Sequence, residues 1–169
     1  GKGTYYADKG DFATAGYVAL QTFDKLPINL IKLESGMFNA LRTVGLFNLM
    51  PKQQTESAYV GVEGYQTDGP FDSPQKFKRY NFTSKYQIQK AKTLFSINFS
   101  IFWSKWNASG QIPERAVNDG TIGWFGAIDN KEGGQTSRTN FSIKASSILS
   151  NTATLENQLY FTNYNFELY

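Results

Sequence analysis

The chain contains no cysteine and no histidine. Without thiols it has no disulfide, thiolate metal ligand or cysteine nucleophile, and without imidazole every histidine-based triad is excluded. Catalysis is therefore not expected, and the residues assign no metal or cofactor site. A long apolar run is also missing: hydrophobic residues make up 40% of 169, and the mean hydropathy is −0.43. They are dispersed, with no block long enough for a membrane-spanning helix. Charge is sparse, at 18%. The lysines and arginines form no basic stripe, so the net charge of +3 gives no reason to expect a nucleic-acid partner. No charged stretch followed by an apolar one opens the chain. The expectation is an exported protein whose true N-terminus lies upstream.

Aromatic residues are abundant instead, at 16%, led by 14 Phe and 10 Tyr. From Ile28 onward they fall into segments of roughly ten residues with a period of two, the repeat of a strand whose side chains alternate between faces. Phe95, Ile97, Phe99, Ile101 and Trp103 alternate with Ser96, Asn98, Ser100 and Ser104. Phe141, Ile143 and Ala145 alternate with Asn140, Ser142, Lys144 and Ser146, and Tyr80, Phe82, Tyr86 and Ile88 with Arg79, Asn81, Lys85 and Gln87. Ala58, Val60 and Val62 oppose Tyr59, Glu63 and Tyr65. Two segments break the rule. Residues 38–50 are apolar on both parities, and Asn157 interrupts the series Leu155, Leu159, Phe161.

Such strands suit a soluble sandwich or a membrane barrel whose apolar faces meet lipid and whose polar faces line a lumen. Connection lengths favour the barrel. Tight links at 50–57, 89–92 and 150–152 alternate with longer ones at 67–77 and 105–138, as expected for short turns on one side and long loops on the other. Trp103, Trp106 and Tyr80 sit where strands would cross the headgroup layer, as an aromatic girdle requires.

The opening runs Tyr5-Tyr6-Ala7-Asp8, then Gly10-Asp11-Phe12-Ala13-Thr14-Ala15-Gly16-Tyr17-Val18-Ala19-Leu20-Gln21-Thr22. It resembles the end of the plug domain of TonB-dependent outer-membrane receptors. In that family a Gly-Val-Asn-Ile-Ile-Thr-like strand precedes the barrel; here Ala19 stands where asparagine is usual. Ile31-Lys32-Leu33-Glu34-Ser35-Gly36-Met37-Phe38-Asn39-Ala40-Leu41-Arg42 is similar to the first barrel hairpin. Residues 67–71 and 109–117 are similar to external loops of Bacteroidetes-type members. The resemblance implies that 1–23 is the C-terminal end of a plug and that 28–169 supplies about seven N-terminal strands of an antiparallel transmembrane β-barrel. Family barrels close with about twenty-two strands, which makes this chain a segment. It further implies a bacterial outer-membrane location, outer-membrane lipid around the strands, TonB as partner of the full-length parent, and active uptake of a scarce extracellular nutrient: a siderophore, vitamin, peptide or glycan.

Inward-facing polar residues near the outer rim are the natural ligand contacts: Tyr65, Arg79 and Trp106, with Arg115 and Trp124 from the long loop. Each is equally suited to a structural role at the rim. Of the sequons at Asn81, Asn98, Asn107 and Asn140, three lie inside expected strands facing the polar side and are read as lumen-lining asparagines rather than glycosylation sites; Glu114, Asp119, Asp129 and Glu132 are read as solvated loop acids. Two rivals remain. One is a self-contained eight-stranded barrel that uses 12–22 as a strand; the other is a soluble β-sandwich carbohydrate-binding module that buries the Phe95, Ile97 and Phe99 face.

Overall fold

A computed structural model describes residues 22–50, 55–108 and 110–169. It is all-β, a single antiparallel meander of seven strands in sequence order. These are β1 (Leu30–Gly36), β2 (Ala40–Asn48), β3 (Glu56–Thr67), β4 (Phe77–Lys90), β5 (Thr93–Asn107), β6 (Gly133–Ser150) and β7 (Ala153–Leu168). One short helix, α1 (Glu114–Asn118), lies between β5 and β6. The sheet is open, since β1 and β7 do not pair with each other, and no second sheet lies against either face among the described residues. The proposed plug segment falls outside the described residues except for Thr22 and Phe23.

Register aligns the alternating sets across strands. Val62 lies opposite Phe82, Phe82 opposite Ile101, Phe99 opposite Phe141, and Phe141 opposite Phe161, so the hydrophobic positions of β3 to β7 share one face. The opposite face carries Glu63, Asn81, Asn98, Ser142 and Gln158. Charges sort the same way. Lys32, Glu34, Arg42, Arg79, Lys85 and Lys144 are all on the polar face, whereas the apolar face carries charges only near strand ends: Glu56, Lys78, Lys90, Lys105 and Glu167.

In β4 and β5 the polar face is the more buried one. Ser96 is 8% exposed and Ser104 3%, whereas Phe95 and Ile97 beside Ser96 are 41% and 39% exposed. The polar face of these strands is the sheltered one, and it lines a groove.

The β1–β2 link is the three residues 37–39, closed by a hydrogen bond from Ala40 N–H to the Met37 carbonyl; Phe38 (φ 58°) and Asn39 (φ 55°) both take the left-handed conformation that matches hairpin twist. This turn lies at the same end as the longer links 68–76 and 108–132. That end therefore mixes one tight turn with two loops, and the opposite end carries 49–55, 91–92 and 151–152. The expected long link 105–138 is shorter than its sequence suggested, because β5 runs to Asn107 and β6 begins at Gly133. Glycines 133 and 134 read as loop residues but belong to the strand, and a Cβ on Gly134 would stand 2.8 Å from the Trp106 ring.

Strand β2 has a definite facing. Leu41, Thr43, Gly45 and Phe47 join the apolar face, and Arg42, Val44 and Leu46 the polar one. Leu46 is accommodated there because Gly61 opposite it has no side chain; a Cβ on Gly61 would meet Leu46 Cδ2 at 3.0 Å.

Candidate functional site

The polar face carries two clusters. Toward the end with the longer links, register places Arg42, Tyr65 and Arg79 side by side across β2, β3 and β4, with Glu34 of β1 next to Arg42. Glu63, two residues from Tyr65 on the same face, receives both arginines on Oε1: Arg42 Nε at 2.6 Å and Arg79 Nη2 at 2.9 Å. Its other oxygen accepts a hydrogen bond from Asn81 Nδ2. Arg42 Nη1 also reaches Glu34 Oε2 at 2.8 Å, and Lys32 Nζ reaches Glu34 Oε1 at 2.8 Å. The Arg79 guanidinium stands 5.2 Å from the Tyr65 ring centroid, and Tyr65 packs on Phe77 at 5.8 Å. Three cations (Lys32, Arg42, Arg79) face two carboxylates (Glu34, Glu63), leaving one net positive charge. Arg79 Nε is buried and makes no hydrogen bond. A cationic, aromatic-backed cluster of this kind can hold an anionic or hydrogen-bond-accepting group.

Below it lies a groove of about 670 Å³ whose lining includes Lys85, Asn98, Asn140, Ser142 and Lys144. Its hydroxyls and amides cross-link neighbouring strands: Asn140 Nδ2 donates to Ser100 Oγ at 3.0 Å, and Thr162 Oγ1 to Asn140 Oδ1 at 3.2 Å. Three of the four sequon asparagines thus have structural partners on the polar face: Asn81 bonds Glu63, Asn98 bonds Ser142, and Asn140 bonds Ser100.

The segment before β1 closes one end of this groove. Asp24 Oδ1 accepts from Lys85 Nζ at 2.7 Å and Gln87 Nε2 at 3.1 Å, and its carbonyl accepts from Ser57 Oγ at 2.8 Å. Leu26 is buried, and its carbonyl accepts from Asn48 Nδ2 at 3.3 Å. The Lys85 hydrogen bond is the main reason the Asp24 carboxyl lies below its usual range; partial burial opposes it, and the Lys85 charge and Gln87 add to the lowering.

The five sequence candidates separate into three places. Tyr65 and Arg79 meet directly. Trp106 lies on the same face and packs against Phe166 at 6.3 Å. Arg115 sits in α1 and Trp124 in the long loop, 78% exposed, with no hydrogen bond, ion pair or ring contact to the other three among the described residues. That loop is held to the 68–76 link by Phe71 against Phe125 at 6.3 Å and by the Asp72 N–H to the Phe125 carbonyl at 2.9 Å. Glu63, Asp24 and Lys85 escaped the sequence reading as site residues. Parity put Glu63 and Lys85 on the polar face, but only register shows whom they meet.

Comparison of the chain with protein-family models, curated proteins and solved structures gives no match.

Proposed function

We propose that the sheet is part of the wall of a transmembrane β-barrel in a bacterial outer membrane, and that the parent protein is a TonB-dependent receptor that takes up a scarce nutrient. The observation that carries this is the inverted burial, with hydroxyls and ammonium groups sheltered and phenylalanine and isoleucine turned outward. In water a contiguous apolar face of this size is a liability; against hydrocarbon it is the required surface.

Dimensions agree. On β4 the uncharged stretch of the apolar face runs from Tyr80 to Ile88, flanked by Lys78 and Lys90. At about 3.4 Å per residue and a tilt of about 45°, these limits span roughly 19 to 29 Å, bracketing the ~25 Å apolar band of outer-membrane barrels. Strands of 14 and 15 residues, as in β4 and β5, exceed the 9–11 or so needed to cross. The stacked Tyr80–Trp103 pair, with centroids 5.7 Å apart at one end of that stretch, supplies a headgroup-level aromatic anchor.

The receptor assignment draws support from the lead-in at 22–29, which binds the polar face near the short links, where a chain leaving a plug would join the wall. In this reading an extracellular nutrient meets Tyr65, Arg79 and Trp106 on the inner wall and Arg115 and Trp124 on the overhanging loop. TonB, acting on the plug of the full-length parent, then drives its release inward.

Tryptophan quenching tests the proposal. In single-tryptophan variants reconstituted into brominated phosphatidylcholine vesicles, Trp103 on the apolar face is quenched, while Trp106 on the polar face and Trp124 in the loop are not. A protein that stays monomeric in plain buffer, with Trp103 untouched by lipid quencher, overturns it.

A further inference from the structure

On the apolar face, Lys78 of β4 and Lys105 of β5 are direct cross-strand partners. Both are exposed, and among the described residues neither makes an ion pair. Like charges placed directly opposite each other in a sheet repel. Among the described residues no acid neutralises them. The acid on the same ladder row, Glu167, is two strands from Lys105 and accepts from Gln135 Nε2. The Lys105 ammonium leans instead over the Tyr169 ring, 5.9 Å from its centroid. One step along both strands, at the next position on this face, Tyr80 and Trp103 stack.

An opposed lysine pair immediately beyond an aromatic anchor, on the face turned to hydrocarbon, lies where lipid phosphates would stand. We infer that Lys78 and Lys105 together form a binding site for the phosphate of an anionic lipid headgroup, with the Tyr80–Trp103 stack bearing on the adjoining glycerol and upper acyl chain. The counter-charge that the described residues do not give the pair is supplied by the lipid, so the site is complete only in an anionic leaflet. The inference rests on the outer-membrane proposal above.

The test uses the full-length protein with Trp103 as its only tryptophan, in vesicles doped with brominated phosphatidylglycerol or with brominated phosphatidylcholine. Phosphatidylglycerol quenches Trp103 preferentially, and the preference weakens as salt screens the charges. A lysine near an anionic surface contributes about fivefold, so the pair gives a preference of about thirtyfold, and Lys78→Gln with Lys105→Gln brings it to one. Lys78→Glu, which supplies Lys105 with a carboxylate partner without removing bulk, abolishes the preference as well and guards against a folding defect in the double variant. Equal quenching by the two lipids overturns this inference while leaving the barrel proposal standing; quenching by neither overturns both. Loss of the preference on adding millimolar inorganic phosphate at constant ionic strength shows a free-phosphate site and overturns the assignment to lipid.

Discussion

Glu63 is the residue on which the upper cluster turns. Its side chain is 14% exposed and gathers two guanidiniums and an amide from strands on either side. Glu63→Ala leaves Arg42 and Arg79 facing each other across Tyr65 with no shared counter-ion. The loss lies between that of an exposed pair, under about 1 kcal/mol, and that of a buried one, about 3–5 kcal/mol. We expect about 2 kcal/mol, measured by urea unfolding in detergent, with Glu63→Gln costing less because the amide oxygen still accepts from one arginine. Asp24 gives a pH dependence of known sign. Its carboxyl is held below the ordinary value of 3.8, chiefly by the Lys85 hydrogen bond, so the folded state favours the ionised form. The stabilisation is complete above that value and disappears as pH falls through the lowered one. In the Asp24→Asn variant this acid-sensitive step is absent. The check is the rate of Lys85 modification by an amine-reactive probe, corrected with a surface lysine: at neutral pH it is slow in the parent and faster in Asp24→Asn.

At the level of the strand, the two faces predict opposite tolerances. Ile97→Arg places a charge in the middle of the apolar face of β5 and costs about 2–4 kcal/mol of folding into a bilayer; Ser100→Arg, three residues on but facing the groove, costs under about 1 kcal/mol. Both are read from urea titrations of folding into vesicles. The alternation behind this contrast was legible in β4, β5 and β6, because large hydrophobes occupy one parity and Ser, Asn and Lys the other. Strand β2 was not legible, since Val44 and Leu46 sit on the polar face. What admits Leu46 is the missing side chain of Gly61, on a different strand and fifteen positions away in sequence. The start of β6 was hidden for a related reason: Gly133 and Gly134 carry the composition of a loop, yet they extend the ladder beside Asn107 and Trp106. Of the candidate site, parity placed Tyr65, Arg79 and Trp106 on one face. The ion-pair partners depend on register, which a single sequence does not specify, and α1 was too short to leave a periodic signal.

For the whole molecule the decisive feature is the open sheet. All 16 residues of β7 are exposed, and among the described residues one backbone edge along it has no partner strand. In hydrocarbon each unpaired peptide group costs several kcal/mol, so in the proposed barrel another strand must continue the ladder. Hydrogen exchange on the full-length protein in membranes checks this: the β7 amides that point away from β6 exchange as slowly as those that point toward it. Fast exchange restricted to the outward set contradicts a closed wall.

The hydrophobic positions also drift along the ladder. On β1 they are Ile31 and Leu33, level with Ile101 and Trp103 of β5; on β7 the residues at those levels are Asn163 and Asn165, and Leu155, Leu159 and Phe161 lie further toward the short turns. A greasy stripe that crosses the hydrogen-bonded rows obliquely is what leaning staves leave when their oily slab is level. In the proposed barrel this slant would lift the far end of β7, with Trp106 and Phe166 inside it, clear of the hydrocarbon, so that the wall would stand proud of the membrane on that flank.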